Sequence, residues 1–325
     1  MSAVSHTRSV RHRIEYAAVR VMQVVTCALP WSGVRALGDG VGYLFYLSDR
    51  RHRRIALANV AAAFPRRSSA EQRALVRRVF AHFGRVLFEM LKFGSLSVPE
   101  QLARVEFEGA EYIHAAHRQG RGALLFTGHF GFWEINALAH SSAFSPLGLL
   151  ARRLDNPYLH ALLEDLRAST GNHVIYRRGA LRRVLRALAA NQGVAILIDQ
   201  HIQAPEAVTV NFFDRPAATT LALGVLALRT GAPVIPAFAL PLPDGRYRVV
   251  YDHPVDPPRG DSPEAIREFT QRCTDVLEMY VRRQPELWLW MHRRWRDDAI
   301  ADGPGMFPAI ASENGNGSGP DHEDS

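Results

Sequence analysis

A histidine and a glutamate lie five positions apart in the segment Gly128–Glu134, whose sequence is GHFGFWE. On a regular helix the side chains of His129 and Glu134 would project about 140° apart and could not meet. If His129 stays on the turn after a strand, Glu134 can accept a hydrogen bond from one imidazole nitrogen while the other takes a proton from a hydroxyl. The spacing therefore predicts a general base oriented by Glu134. A capped helix start with a satisfied histidine is the alternative.

The chain offers no clear nucleophile of its own for such a base to activate. It contains no GxSxG nucleophile elbow, and its two cysteines, Cys27 and Cys273, lie far apart in the sequence. The substrate would then supply the attacking oxygen, which predicts direct acyl transfer to an alcohol. Two distant cysteines form neither a disulfide framework nor a zinc cluster, which favours a body facing the cytosol. No metal and no cofactor are implied.

Strand and helix patterns alternate around this segment. The apolar runs 122–127 and 194–198 are bounded by turn signals, a pattern typical of strands buried on both faces of a parallel sheet. The sequence further predicts helices over about 69–92, 157–171, 181–192 and 263–283, and strands at 234–240 and 247–251. The expected fold class is α/β, with a mixed, largely parallel sheet flanked by helices and an N-terminal membrane-associated helical segment.

Both ends of the chain differ from this body. Residues 1–49 combine arginines with apolar stretches, which suits a membrane anchor, whereas two ordinary helices packed on the body are the alternative. The glycine-rich run Gly38–Gly42 follows no buried strand, so it indicates close packing rather than a dinucleotide loop. Residues 302–325 are rich in Gly, Asn, Ser and acidic residues, which predicts a disordered tail. The predicted division is an anchoring segment at 1–49, an acyltransferase domain at 50–301 and a tail at 302–325.

Composition excludes several classes of protein and function. Hydrophobic residues make up 47% of the chain, which excludes a wholly disordered or collagen-like protein. The net charge of +7 suits nucleic acid, anionic lipid or an acidic protein as partner. Because the arginines are scattered and no helix-turn-helix, RNP or zinc pattern is present, we do not expect binding to nucleic acid.

Six motifs together resemble one known family. The segment around His129 resembles the HxxxxE motif of the glycerolipid acyltransferase superfamily, and specifically that of the bacterial lauroyl and myristoyl acyltransferases of lipid A biosynthesis. The family patterns RxxxxNLxxxFP, RPLDNP, DQD, FFGxPAATT and PEQYLWLHRRW are similar to residues 54–65, 152–157, 199–201, 212–220 and 285–295. Two departures from these patterns matter: Arg153 replaces the proline of RPLDNP, and His201 replaces the closing acid of DQD.

The resemblance implies an O-acyltransferase at the cytoplasmic face of the inner membrane. Its donor would be acyl carrier protein, and its acceptor a hydroxyl of a lipid A precursor or a related glycolipid. A phosphatidylinositol-mannoside or lysophospholipid acyltransferase, a thioester hydrolase and, from another class, a nucleic-acid-binding protein are the alternatives.

Three further residues are candidates for substrate binding. The guanidinium of Arg152 can hold a phosphate, although an ordinary solvated loop arginine is an equal alternative. Asp199 follows a buried strand at the end where open α/β sheets bind ligands, although a turn or cap residue fits as well. Asn156 belongs to the segment that resembles RPLDNP, and it can also cap the helix that starts at Pro157.

Overall fold

A mixed, seven-stranded sheet runs through the part of the chain that the computed structural model describes, which is residues 2–176, 179–202 and 207–295. Its strand order is β1-β9-β8-β2-β5-β3-β4. Five neighbours, β8 to β4, run parallel, whereas β9 is antiparallel to β8 and parallel to β1. The strands are β1 (Val105–Glu108), β2 (Ala123–Thr127), β3 (Leu147–Ala151), β4 (His173–Tyr176), β5 (Gly193–Leu197), β8 (Val234–Pro241) and β9 (Tyr247–Tyr251), with a separate hairpin of β6 (Ala207–Phe212) and β7 (Arg215–Thr220).

Helices cover both faces of this sheet. They are α1 (Ser2–Ala28), α2 (Trp31–Ser48), α3 (Arg50–Ala63), α4 (Ser69–Phe93), α5 (Val98–Leu102), α6 (Ala110–Gln119), α7 (Trp133–Ala143), α8 (Pro157–Ala168), α9 (Ala180–Ala189), α10 (Ala222–Thr230) and α11 (Pro263–Arg283). Alternate residues of β2 point to opposite sides: Leu124 and Phe126 join the core formed with α9, α10 and α11, whereas Ala123 and Leu125 join the core formed with α6 and α7. The predicted α/β class with a largely parallel sheet is confirmed.

The N-terminal helices pack on this body. Helix α2 lies against α4 at a distance that only glycine permits, since a Cβ on Gly42 would come within 2.2 Å of the carbonyl oxygen of Phe80. A Cβ on Gly84 of α4 would likewise lie 2.1 Å from the carbonyl oxygen of Gly38. The interpretation of the glycine run as a packing surface is confirmed.

Membrane anchoring by residues 1–49 stays a prediction. Of the helices in the described ranges, none has the length and apolarity needed to cross a bilayer. The predicted tail at 302–325 lies outside the described residues.

Candidate active site

His129 and Asp199 meet at the carboxyl edge of the sheet. Strands β2 and β5 are parallel neighbours, and Thr127 pairs with Leu197. Residues two positions beyond each strand end therefore lie side by side. The Nδ1 atom of His129 lies 2.9 Å from Oδ1 of Asp199, and the backbone N–H of His129 donates to Oδ2 at 2.7 Å.

The C-terminal segment of the described chain holds this pair in place. The indole N–H of Trp288 donates to Oδ2 of Asp199 at 2.8 Å, and the ring is fully buried. Backbone hydrogen bonds connect Gly131 to Leu287 and Leu289 to His129, at 2.9 and 3.0 Å. The loop that carries the histidine is thus fixed on both sides, a requirement for a preorganised base.

The electrostatics of the pair favour a basic imidazole. Burial alone would raise the pKa of Asp199, but the charge of His129 and three donated hydrogen bonds outweigh burial and lower this pKa to about 2. Burial likewise lowers the pKa of His129, yet the Asp199 carboxylate, aided by Glu134, outweighs it and raises the pKa. The ionised carboxylate accepts from Nδ1–H, which leaves Nε2 as a proton acceptor. The side-chain amide nitrogen of Gln200 lies 3.4 Å from that atom.

The prediction that Glu134 accepts a hydrogen bond from the imidazole of His129 is wrong, because the acceptor is Asp199. Glu134 lies in the first turn of α7, and its carboxylate pairs with Arg167 of α8, with Nε donating to Oε2 at 3.0 Å and the terminal nitrogen donating to Oε1. Both side chains are largely buried, at 12% and 13% exposure. Asp199, which follows the strand next to β2, makes the hydrogen bond to the imidazole instead, whereas Glu134 raises the pKa of His129 only through its charge.

The other predicted substrate-binding residues occupy different positions. Arg152 is exposed at the rim of the cavity described below. Asn156 is buried, and its role as a substrate ligand stays a prediction. Its Oδ1 accepts from the backbone of α8 at Tyr158, and its Nδ2 donates to the carbonyl of His12 and to Glu15 in α1. Asn156 therefore caps α8 and ties it to the N-terminal helix.

A cavity of about 580 Å³ opens in front of the histidine. Its polar lining includes His129, Glu134, Arg167 and Gln200. Its apolar lining includes Ala137, Leu149, Leu150, Leu163, Ala195 and Ile196. A cavity that combines a basic imidazole with an extensive apolar lining fits a hydrocarbon chain with a reactive head group.

The family profile described as "Bacterial lipid A biosynthesis acyltransferase" matches residues 3–297. The chain belongs to this acyltransferase family. Among its relatives is the lipid A biosynthesis lauroyltransferase of Escherichia coli, which is 28% identical over 291 residues, covering 88% of this chain and 92% of the relative. The lipid A biosynthesis myristoyltransferase of E. coli is 27% identical over 78% of this chain and 77% of its own length. The phosphatidylinositol mannoside acyltransferase of Mycobacterium tuberculosis is 25% identical over 83% and 85%.

Two further residues were assigned no role in the candidate site from the sequence. Arg167 follows Leu163 by four positions on α8, so it stands in the apolar stripe of that helix. A charge in such a stripe signals a buried ion pair. Arg294 is 1% exposed and donates to the backbone carbonyls of Gln200 and Ala218, so that it fixes the loop after Asp199. Nothing in the sequence distinguishes it from the neighbouring arginine.

Proposed function

We propose that this acyltransferase moves a fatty acyl chain from acyl carrier protein to a hydroxyl of a lipid A precursor, with His129 as general base. The observation that carries the proposal is the hydrogen-bonded pair of His129 and Asp199 at the mouth of an apolar cavity. Family membership supports the reaction class, and the names of the relatives support the acceptor.

The geometry supports a direct transfer without a covalent enzyme intermediate. Nε2 of His129 removes the proton of the acceptor hydroxyl, and the oxygen bonds to the thioester carbonyl carbon. The carbon–sulfur bond then breaks, and the thiolate leaves with the proton of the imidazolium. Asp199 keeps the proton of the neutral ring on Nδ1 and stabilises the imidazolium between these steps.

The second carboxylate adds charge to the site. Glu134 neutralises Arg167 beside the base and, with Asp199, favours the protonated imidazole. We propose that the ion pair also maintains the shape of the cavity mouth, where both side chains lie. Arg152 and Arg153 line the same mouth and can bind a phosphate of the acceptor.

The donor proposal rests on charge. An acyl carrier protein is acidic, and the net charge of +7 on this chain would steer it toward the enzyme. A coenzyme A thioester would depend more on local phosphate contacts. The two donors therefore differ in their expected response to salt.

An interfacial position would bring a lipid acceptor to the cavity. Apolar side chains are exposed on the N-terminal helices: Ile14, Val21, Val24, Leu44 and Phe45 are 57–68% exposed. Exposed apolar groups next to basic ones suit an anionic lipid surface. We therefore propose that α1 and α2 rest on the cytoplasmic leaflet of the inner membrane.

The membrane proposal can be tested by flotation with vesicles that contain anionic lipid. The double variant Val21→Asp and Val24→Asp should no longer float. Leu228→Asp is the matched control, because Leu228 is also an exposed apolar residue, on α10, and it should float like the parent. Equal flotation of the double variant and the parent would contradict the proposal.

Lipid mass spectrometry of cells that lack the chain tests the acceptor. The proposed function predicts loss of one acyl group from lipid A and its return on complementation by the parent, but not by His129→Ala. The relationship to a phosphatidylinositol mannoside acyltransferase favours one specific alternative. Loss of an acyl group from a mannosylated inositol lipid, with lipid A unchanged, would establish that alternative instead.

A further inference from the structure

Two smaller cavities, of about 30 and 10 Å³, lie near the cavity in front of His129 and are called here the middle and the inner cavity. The large cavity shares the lining residues Thr127, Trp133, Ala137 and Ala195 with the middle one. The middle and inner cavities share Leu125 and His140, whereas the large and inner cavities share none. The three cavities are therefore arranged in series beneath α7, along the direction of β2.

A polar pair separates the middle cavity from the inner one. His140 of α7 lines both cavities and is 3% exposed, and Tyr251 of β9 lines the middle one and is 1% exposed. Nδ1 of His140 and the hydroxyl of Tyr251 form a hydrogen bond of 2.8 Å. Burial lowers the pKa of His140 to about 3, so this imidazole is neutral at physiological pH. Glu134, at the catalytic end, lies about 9 Å from His140 along the helix axis.

We propose that the hydrogen-bonded pair of His140 and Tyr251 forms the floor of the acyl-binding cavity and sets the longest fatty acyl chain that the enzyme accepts. This inference rests on the proposed acyl transfer at the same site. A hydrocarbon chain that extended beyond the middle cavity would have to displace the imidazole and break its hydrogen bond, leaving two buried polar groups unsatisfied. Shorter saturated chains end above the pair and meet no such barrier.

The test is a competition among acyl carrier proteins that carry saturated chains differing by two carbons, with products measured by mass spectrometry. His140→Ala joins the middle and inner cavities and should shift the preferred chain to a longer one. Ala237→Val fills the middle cavity, which Ala237 lines, and should shift it to a shorter one. The second variant keeps the test valid if the first does not fold.

Two controls isolate the floor from general effects of mutation. His82→Ala is matched to His140→Ala, because His82 is also 3% exposed with a pKa of about 3, yet it lines none of the three cavities. It should leave the chain-length preference unchanged. Ala116→Val narrows the inner cavity only, so it should be silent in the parent and cancel the shift in His140→Ala.

The outcomes separate this inference from the proposed function. Opposite shifts in the two variants, with unchanged preference in His82→Ala, support the floor. Transfer by the parent with the same preference in folded His140→Ala and in Ala237→Val would overturn it and leave the proposed function intact. No transfer by the parent with any donor would overturn both.

Discussion

Replacing Asp199 by asparagine removes one negative charge. It also forces the wrong tautomer on His129, because neighbouring hydrogen-bond donors fix the orientation of the new amide. Oδ2 of Asp199 accepts from two fixed donors, the backbone N–H of His129 and the indole N–H of Trp288. In Asp199→Asn the amide oxygen must occupy this position, so the amide NH₂ faces Nδ1 of His129. Nδ1 then becomes an acceptor, and the proton of the neutral ring moves to Nε2, the atom that should receive the proton of the hydroxyl.

The loss of charge sets the size of the effect. The Nδ1–Oδ1 distance is 2.9 Å, and Asp199 is 3% exposed. Charges about 4 Å apart at an effective dielectric constant of about 20 interact by about 4 kcal/mol. Without this stabilisation of the imidazolium, kcat/KM should fall about 10³-fold. The assay is ester formation from acyl carrier protein thioester, with the unfolding midpoint as a check on folding.

Two results bear directly on the tautomer argument. Asp199→Asn should lose activity without a comparable rise in KM, because the lost interaction acts on the transition state. Parental kcat/KM in a folded Asp199→Asn enzyme would refute the assignment of Asp199 as the orienting group.

Three further changes have defined outcomes. Glu134→Gln should reduce kcat/KM less than Asp199→Asn does. It should also move the acid limb of the pH profile to lower pH, because one carboxylate that raises the pKa of His129 is gone. An unmoved limb would contradict the effect of Glu134 on the pKa of His129. Asn59→Ala removes two hydrogen bonds to the carbonyls of Trp290 and His292. The free energy of unfolding, measured by urea titration, should fall by about 1–3 kcal/mol. No change would show that these hydrogen bonds do not stabilise the fold. The stability that ionised Asp199 contributes is present above about pH 3.9, the pKa of an unfolded aspartate. It should be lost as pH falls through about 2, so the difference in stability from Asp199→Asn should shrink in acid.

Local patterns predicted much of the fold. The predicted helix over 69–92 matches α4, which starts with a capping box of Ser68 and Glu71, and the apolar runs predicted β2 and β5 to within a residue. These features depend on interactions between near neighbours in the sequence, which is why periodicity and turn residues reveal them.

The partners within the site could not be predicted in the same way. Asp199 meets His129 only because β5 is inserted between β2 and β3 in the sheet, an order that no local pattern encodes. The spacing to Glu134 was visible in the sequence, but the direction of its side chain depends on the packing of α8 against α7. Trp288 is buried and donates its indole N–H to Asp199, a contact that its residue type alone does not reveal.

The most direct test of the account is a reaction of the purified chain with acyl carrier protein thioester and a lipid A precursor, followed by mass spectrometry of the lipid. The account predicts one added ester-linked acyl group for the parent and a rate about 10²- to 10⁴-fold lower for folded His129→Ala. Parental rates in His129→Ala would contradict the role of the base. Release of free fatty acid by the parent, with the precursor unchanged, would show that water rather than the lipid hydroxyl attacks the thioester.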